Sequence, residues 1–231
     1  MVTIVSSFAE DIYIDENEAR IKTEIGGPAK FLSSVLDELD IDFFVVTGAP
    51  ARVVIKIEKS EEFGKIEYVS PINLPDIQYD LVIVSTLLNE FKLRKIKSNL
   101  VCLDIQGYVR NSTNFGTKKN FEFDPTIVGV VKATERELNY LPVRLVEALK
   151  KKVLIVTQGS NGFTVYAYGN KFDFSVEQLQ IKDAVGAGDT FFAAFCVKYY
   201  KSKDPCLSAE FAKQVTDNFL KGKAKMEVIA K

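Results

Sequence analysis

Short β-branched runs alternate with helix-patterned stretches along most of this sequence, and that alternation constrains the fold more than any other feature. Strand candidates are Val2 to Val5, Phe43 to Thr47, Tyr79 to Ser85, Leu100 to Ile105, Val128 to Lys132 and Val153 to Thr157. Between them lie helical patterns near Ala29 to Leu39, Glu90 to Ile96, Thr134 to Tyr140 and Arg144 to Lys151. Apolar runs without a polar face need cover on both sides. The pattern therefore predicts an α/β fold, a three-layer αβα sandwich around a mainly parallel sheet. In such sheets ligands bind beyond the carboxyl ends of the strands.

Two stretches break the alternation. Ile12 to Ile25 and Arg52 to Val69 carry charged residues between apolar ones, as in IYI, RVVIKIEK and KIEYV. They read as antiparallel strands, either a separate small sheet or an extension of the main one. The stretch from Gly188 to Lys225 reads as two helices joined near Asp204-Pro205, where the proline suits a helix start. The first of these is strongly apolar and is expected to lie buried against the sheet. No repeat, low-complexity tract or linker interrupts residues 1–231, which read as one domain.

Composition limits the partners and the chemistry. The chain has 231 residues, 47% of them hydrophobic, with 30 basic against 31 acidic side chains and a formal net charge of -1. Without a basic block there is no electrostatic footprint for nucleic acid or an anionic membrane, so small molecules are the expected partners. No apolar stretch is long enough to span a bilayer, and the amino-terminal residues lack the pattern of a signal peptide. Cys102, Cys196 and Cys206 have no CxxC spacing and are odd in number, which points to the reducing cytoplasm. The absence of histidine excludes a Ser-His-Asp triad and histidine metal ligation. Carboxylates, lysine, arginine and backbone dipoles remain, an inventory sufficient for phosphoryl transfer.

The ten residues Asp183 to Phe192, DAVGAGDTFF, place a glycine-rich turn and one acid ahead of an apolar helix. Small residues at a helix start aim several N–H groups at one spot, where the helix dipole also favours an anion. Gly186, Ala187 and Gly188 are the expected anion hole for a phosphoryl group, and Asp189 is the expected general base toward an acceptor hydroxyl. The plainer reading is an ordinary helix start with Asp189 complementing the dipole.

This segment resembles the second signature of the ribokinase-like (PfkB) carbohydrate kinases, an Asp-Thr-x-Gly-Ala-Gly-Asp run that carries the catalytic base. Ala184 stands here in place of the Thr. The resemblance implies that the strands at about 12–25 and 52–69 form a small β lid over the substrate, in several members also a homodimer surface. Gly26-Gly27-Pro28-Ala29 is similar to the family's glycine pair at the substrate pocket, although Phe31 occupies the place of a common Asn. Asp11 matches an acid that accepts hydrogen bonds from substrate hydroxyls. LVCLDIQGYVR, residues 100–110, and VSTLLNEF, residues 84–91, resemble the archaeal and plant inositol-kinase-like branch. Asp104 and Arg110 would then lie at the strand-end cleft, with Arg110 available for phosphate charge.

VVKATERELNYL, residues 130–141, resembles the family element whose Glu organises hydrated magnesium. Glu137 matches that Glu, while Thr134 replaces an Asn and forms a capping-box pattern with Glu137. Thr157, Gly159 and Gly162 match the nucleotide-site turn, and Asp183 opens the glycine run on the nucleotide side. No G-x-x-x-x-G-K-[ST] run is present, which excludes a P-loop. The resemblance implies an ATP- and Mg²⁺-dependent kinase acting on a hydroxyl of a sugar, an inositol-like polyol or a nucleoside. The alternative is a nucleotide-binding regulatory protein of the same fold that has lost catalysis, in line with Ala184, Phe31 and Thr134.

Overall fold

The computed structural model describes residues 1–14, 19–58, 61–112, 117–179 and 184–229. Its main sheet has eight strands in the order β12-β11-β10-β9-β8-β7-β1-β4. Six of them run parallel: β1 (Val2–Ser6), β4 (Phe43–Val46), β7 (Tyr79–Ser85), β8 (Ser98–Asp104), β9 (Val130–Thr134) and β10 (Val153–Thr157). The antiparallel strands β11 (Phe163–Ala167) and β12 (Asn170–Phe174) complete one edge. The β-branched runs seen in the sequence are these strands, with ends that differ by one or two residues.

Both faces of the sheet are covered, as its apolar strands require. One face packs under α1 (Pro28–Glu38), α5 (Ala187–Ser202) and α6 (Pro205–Ile229), through Leu32, Phe192, Phe195 and Ala209 against Ile4, Ile83 and Cys102. The other packs against α4 (Val143–Lys150) and the short α2 (Gln106–Val109), through Leu145, Leu149 and Tyr108 against Val84, Leu103 and Val131. The three-layer α/β sandwich is therefore the observed architecture. No described helix is long and apolar enough to cross a membrane.

The two irregular stretches form a separate four-stranded sheet, β3-β2-β5-β6. It comprises β2 (Ala9–Ile14), β3 (Arg20–Gly26), β5 (Ala51–Glu58) and β6 (Glu61–Tyr68). β2 pairs with β3 and β5 with β6 antiparallel, while the central β2 and β5 run parallel. Ala51, Val53 and Ile55 alternate inward and pack with Ile66 and Leu87.

One expected helix is absent. Residues 90–96 are not helical, because their polar groups are engaged elsewhere. The Glu90 carboxylate accepts from the N–H groups of Leu87 and Leu88, at 2.8 and 2.7 Å. The carbonyl of Phe91 accepts the Tyr108 hydroxyl at 2.9 Å, and that of Glu90 accepts Ile72 N–H at 2.9 Å. These bonds fix residues 86–91 as an ordered turn beyond β7, one that local helical spacing cannot reveal.

Candidate active site

In a parallel sheet, paired residues share a face, so the α5 face can be read strand by strand. Ser6 pairs with Ser85, Ser85 with Asp104 and Asp104 with Lys132. Below this row the same face is apolar, for example Ile4, Ile83, Cys102 and Val130. At the carboxyl ends of β1, β7 and β8, and at Lys132 in the middle of β9, it turns polar in one step. Ser85, Asp104 and Lys132 are all buried, at 1%, 0% and 4% exposure.

The first turn of α5 lies over that row. Gly186 precedes the helix at φ 87°, a left-handed conformation that favours glycine. A Cβ there would also meet the ring of Phe31 at 2.2 Å. Ala187 N–H bonds to the Ala184 carbonyl at 3.1 Å and Thr190 N–H to Gly186 at 2.9 Å. The N–H groups of Gly188 and Asp189 have no acceptor among the described residues. No side chain caps the helix. Two unbonded donors thus stand at the positive end of a 16-residue helix, where the dipole favours negative charge.

Asp189 is half-buried beside this site, and its Oδ1 accepts the Ser85 hydroxyl at 3.2 Å. Burial pushes its carboxyl up to about 6, against the opposing pull of the Lys132 ammonium. Asp104 raises it further, while the Ser85 bond and Arg110 lower it. Asp189 is thus ionised at neutral pH yet basic enough to accept a proton, as a general base requires. Lys132 Nζ contacts Asp104 Oδ2 at 2.5 Å, and Asp104 Oδ1 accepts Gln106 N–H at 3.0 Å.

Arg110 is buried at the carboxyl end of α2 and donates from Nη1 to the Leu87 carbonyl at 3.2 Å. Burial lowers its pKa, while Glu137, Asp189, Asp104 and Glu90 act in the opposite sense, so it shares their electrostatic neighbourhood. Glu137 is the third residue of α3 (Glu135–Leu138) and forms a capping box with Thr134. Its Oε2 accepts Thr134 N–H at 2.8 Å and its Oε1 lies 3.7 Å from Lys118 Nζ. Both oxygens are engaged, and no group of three or more potential metal ligands occurs among the described residues.

The remaining expected site residues fall in two places. Asp11 and Gly26 meet on neighbouring strands, where a Cβ on Gly26 would lie 1.7 Å from Asp11 Oδ2. Gly26 is therefore the space that holds the Asp11 carboxylate. Gly27, at φ 83°, brings the start of α1 onto Ser7. Asp11 also lines a cavity of about 570 Å³ with Tyr13, Glu24, Lys30, Phe31, Val185 and Lys223. Lys223 of α6 donates to the Val185 carbonyl at 2.8 Å and lies over the rings of Phe31 and Phe219, which joins the cavity to the Gly186 turn.

Thr157, Gly159 and Gly162 stand at the end of β10 and in the turn beyond it. Thr157 Oγ1 lies 3.5 Å from the Ala133 carbonyl, Gly159 at φ 60° has open space around it, and Gly162 at φ 98° backs onto Phe174. Asp183 lies outside the described residues. The sequence reading missed Ser85 and Lys132. For Lys132 a signal was present, since a lysine inside a buried parallel strand needs a partner.

The architecture is the ribokinase-like fold. A model of the pfkB family carbohydrate kinases matches residues 126–216, a span that includes the Gly186 turn and α5. No curated protein matches the sequence. Among solved structures, the chain is similar to a pyrophosphate-dependent kinase in the ribokinase family, complexed with a pyrophosphate analog and myo-inositol. The TM-score is 0.72 at 18% identity, over 96% of this chain and 95% of the other. It is also similar to the Arabidopsis thaliana ribokinase complexed with ribose and ATP, with TM-score 0.66 and 19% identity over 93% and 90% of the two chains. The Thermotoga maritima ribokinase matches with TM-score 0.63 and 17% identity, over 94% and 91%.

Proposed function

We propose that this protein transfers the terminal phosphoryl group of ATP to a hydroxyl of a sugar or an inositol-like polyol. The observation that carries this reading is the start of α5, where two unbonded N–H groups stand beside a half-buried carboxylate. The acceptor occupies the cavity lined by Asp11, Tyr13 and Phe31. Asp11 accepts from its hydroxyls, and Tyr13 and Phe31 offer aromatic faces to its C–H surface. The reacting hydroxyl gives its proton to Asp189 as its oxygen bonds to phosphorus, and the bridging oxygen leaves with its electron pair on ADP. The N–H groups of Gly188 and Asp189 meet charge on the transferring group.

The donor runs along the carboxyl ends of the strands, with the nucleoside toward the Thr157 to Gly162 turn. Mg²⁺, when bound, neutralises phosphate charge. Glu137, with both oxygens engaged, fits that ion only through ordered waters and not as a direct ligand. The small sheet acts as a lid, and a second copy of the chain pairs with it through its strands.

The test is product release with a panel of inositols, pentoses, hexoses and nucleosides, using Mg·ATP and separately pyrophosphate as donor. ADP release that requires one hydroxyl compound and disappears in Asp189→Asn supports the reading. Orthophosphate release from pyrophosphate alone would reassign the donor. Nucleotide binding without turnover on any acceptor would favour the regulatory alternative.

A further inference from the structure

Lys132 has no role in the transfer described above, yet its placement is costly. A lysine buried to 4% exposure in a central strand needs compensation for its lost hydration. Asp104 supplies one strong contact, at 2.5 Å, and it is the one hydrogen-bond partner of Nζ among the described residues. An ammonium has three protons to donate. The second feature is position: a Cβ on Gly188 would stand 3.4 Å from Nζ, and Phe192, one turn on, has its ring centroid 5.9 Å away. Nζ therefore lies at the first turn of α5, beside the unbonded N–H groups of Gly188 and Asp189.

We propose that Lys132 is a catalytic residue whose ammonium binds the transferring phosphoryl group, with Asp104 as the residue that positions it. This rests on the phosphoryl-transfer reading of the site. Asp104 is itself fixed by Gln106 N–H at the start of α2, so the charge is held before any ligand arrives. The N–H groups of Gly188 and Asp189 and the ammonium then bracket one anion, and glycine at 188 leaves the approach clear. As phosphorus moves from the bridging oxygen to the acceptor oxygen, Lys132 keeps its proton and stabilises the equatorial oxygens, while the acceptor proton goes to Asp189. The row Ser85, Asp104 and Lys132 thus carries a base-orienting hydroxyl and an anchored cation on three neighbouring strands.

The alternative is that Lys132 only neutralises Asp104. A double substitution separates the two, because Lys132→Met with Asp104→Asn removes both charges and keeps an acceptor for Gln106 N–H. The variants are Lys132→Met, Asp104→Asn and the pair. Readouts are melting temperature, turnover, and calorimetric binding of inorganic pyrophosphate without metal. The expected result is a pair that melts near the unmodified protein, binds pyrophosphate at least about 10-fold more weakly and turns over at least about 100-fold more slowly. A pair that recovers both binding and turnover overturns the inference.

A measurement on the unmodified chain guards against misfolding of the pair. The Lys132 ε-methylene resonance, assigned by its loss in Lys132→Arg, is expected to shift on pyrophosphate addition and saturate with the calorimetric Kd. No shift, or no pyrophosphate binding, overturns the inference. Lys132-dependent binding in a chain that phosphorylates no acceptor would uphold the anion site while removing the kinase reading.

Discussion

Two helices in this protein begin with glycine-marked turns, and they use them in opposite ways. At α1, Gly27 and Pro28 lead into a first turn in which the N–H groups of Ala29 and Lys30 already have acceptors. Pro28 has no N–H, Ala29 bonds to the Ser7 carbonyl at 3.2 Å and Lys30 to Gly27 at 3.2 Å. Gly27 is required because a Cβ there would lie 2.6 Å from the Ser7 carbonyl oxygen. At α5 two donors stay unbonded, and a Cβ on Gly188 would meet only the Lys132 side chain, at an ordinary contact distance of 3.4 Å. A glycine turn before a helix is therefore a packing device at α1 and leaves two donors open at α5. The backbone accounting distinguishes them, and composition does not.

The largest effect that can break this comparison is at Asp189. Asp189→Asn is expected to lower turnover by about 10³-fold or more, with nucleotide binding retained, as measured by steady-state kinetics and titration calorimetry. Next comes a matched pair of glycine substitutions. Gly188→Ala is expected to cut turnover about 10- to 100-fold with little change in melting temperature, since the new methyl enters the anion site rather than the core. Gly27→Ala is expected to destabilise by about 1–3 kcal/mol through a left-handed backbone and a carbonyl clash. Parallel thermal melts and rate assays check both, and a reversal of the two outcomes would remove the contrast.

The pH dependence sharpens the α5 side. With the Asp189 carboxyl at about 6, turnover is expected to fall below about pH 6 as the base is protonated. The stability effect has the opposite sense. A carboxyl raised above its unfolded value stabilises the fold at low pH and loses that contribution as pH rises from about 4 toward 6. Asp189→Asn is therefore expected to gain melting temperature relative to the unmodified protein at pH 8 and not at pH 4. The smallest expected effect is at the cavity: Gly26→Ala displaces the Asp11 carboxylate and is expected to raise the acceptor KM about 10-fold, leaving the ATP KM unchanged.

Much of the fold was legible because buried parallel strands announce themselves as β-branched runs, and the two charged, two-faced stretches correctly stood apart from them. The false helix at residues 90–96 arose because helical spacing was read without knowing that Glu90 and Phe91 serve distant groups, Leu87, Leu88, Ile72 and Tyr108. In the candidate site, the glycine turn ahead of α5 was legible because residues 186–189 are contiguous in sequence. Ser85 and Lys132 escaped because their relation to Asp189 is set by strand register across β7, β8 and β9, a property of pairing that no short motif encodes. The Asp11–Gly26 contact escaped for the same reason, since only the β2–β3 register brings them together.

The most direct test of the account is an amide ¹H–¹⁵N titration of the unmodified protein with Mg·ATP. The N–H resonances of Gly188 and Asp189 are expected to move most, as the open donors take up phosphate oxygens, while those of Ala29 and Lys30 stay in place. Unchanged Gly188 and Asp189 resonances at saturating nucleotide, or shifts centred on the start of α1, would contradict it.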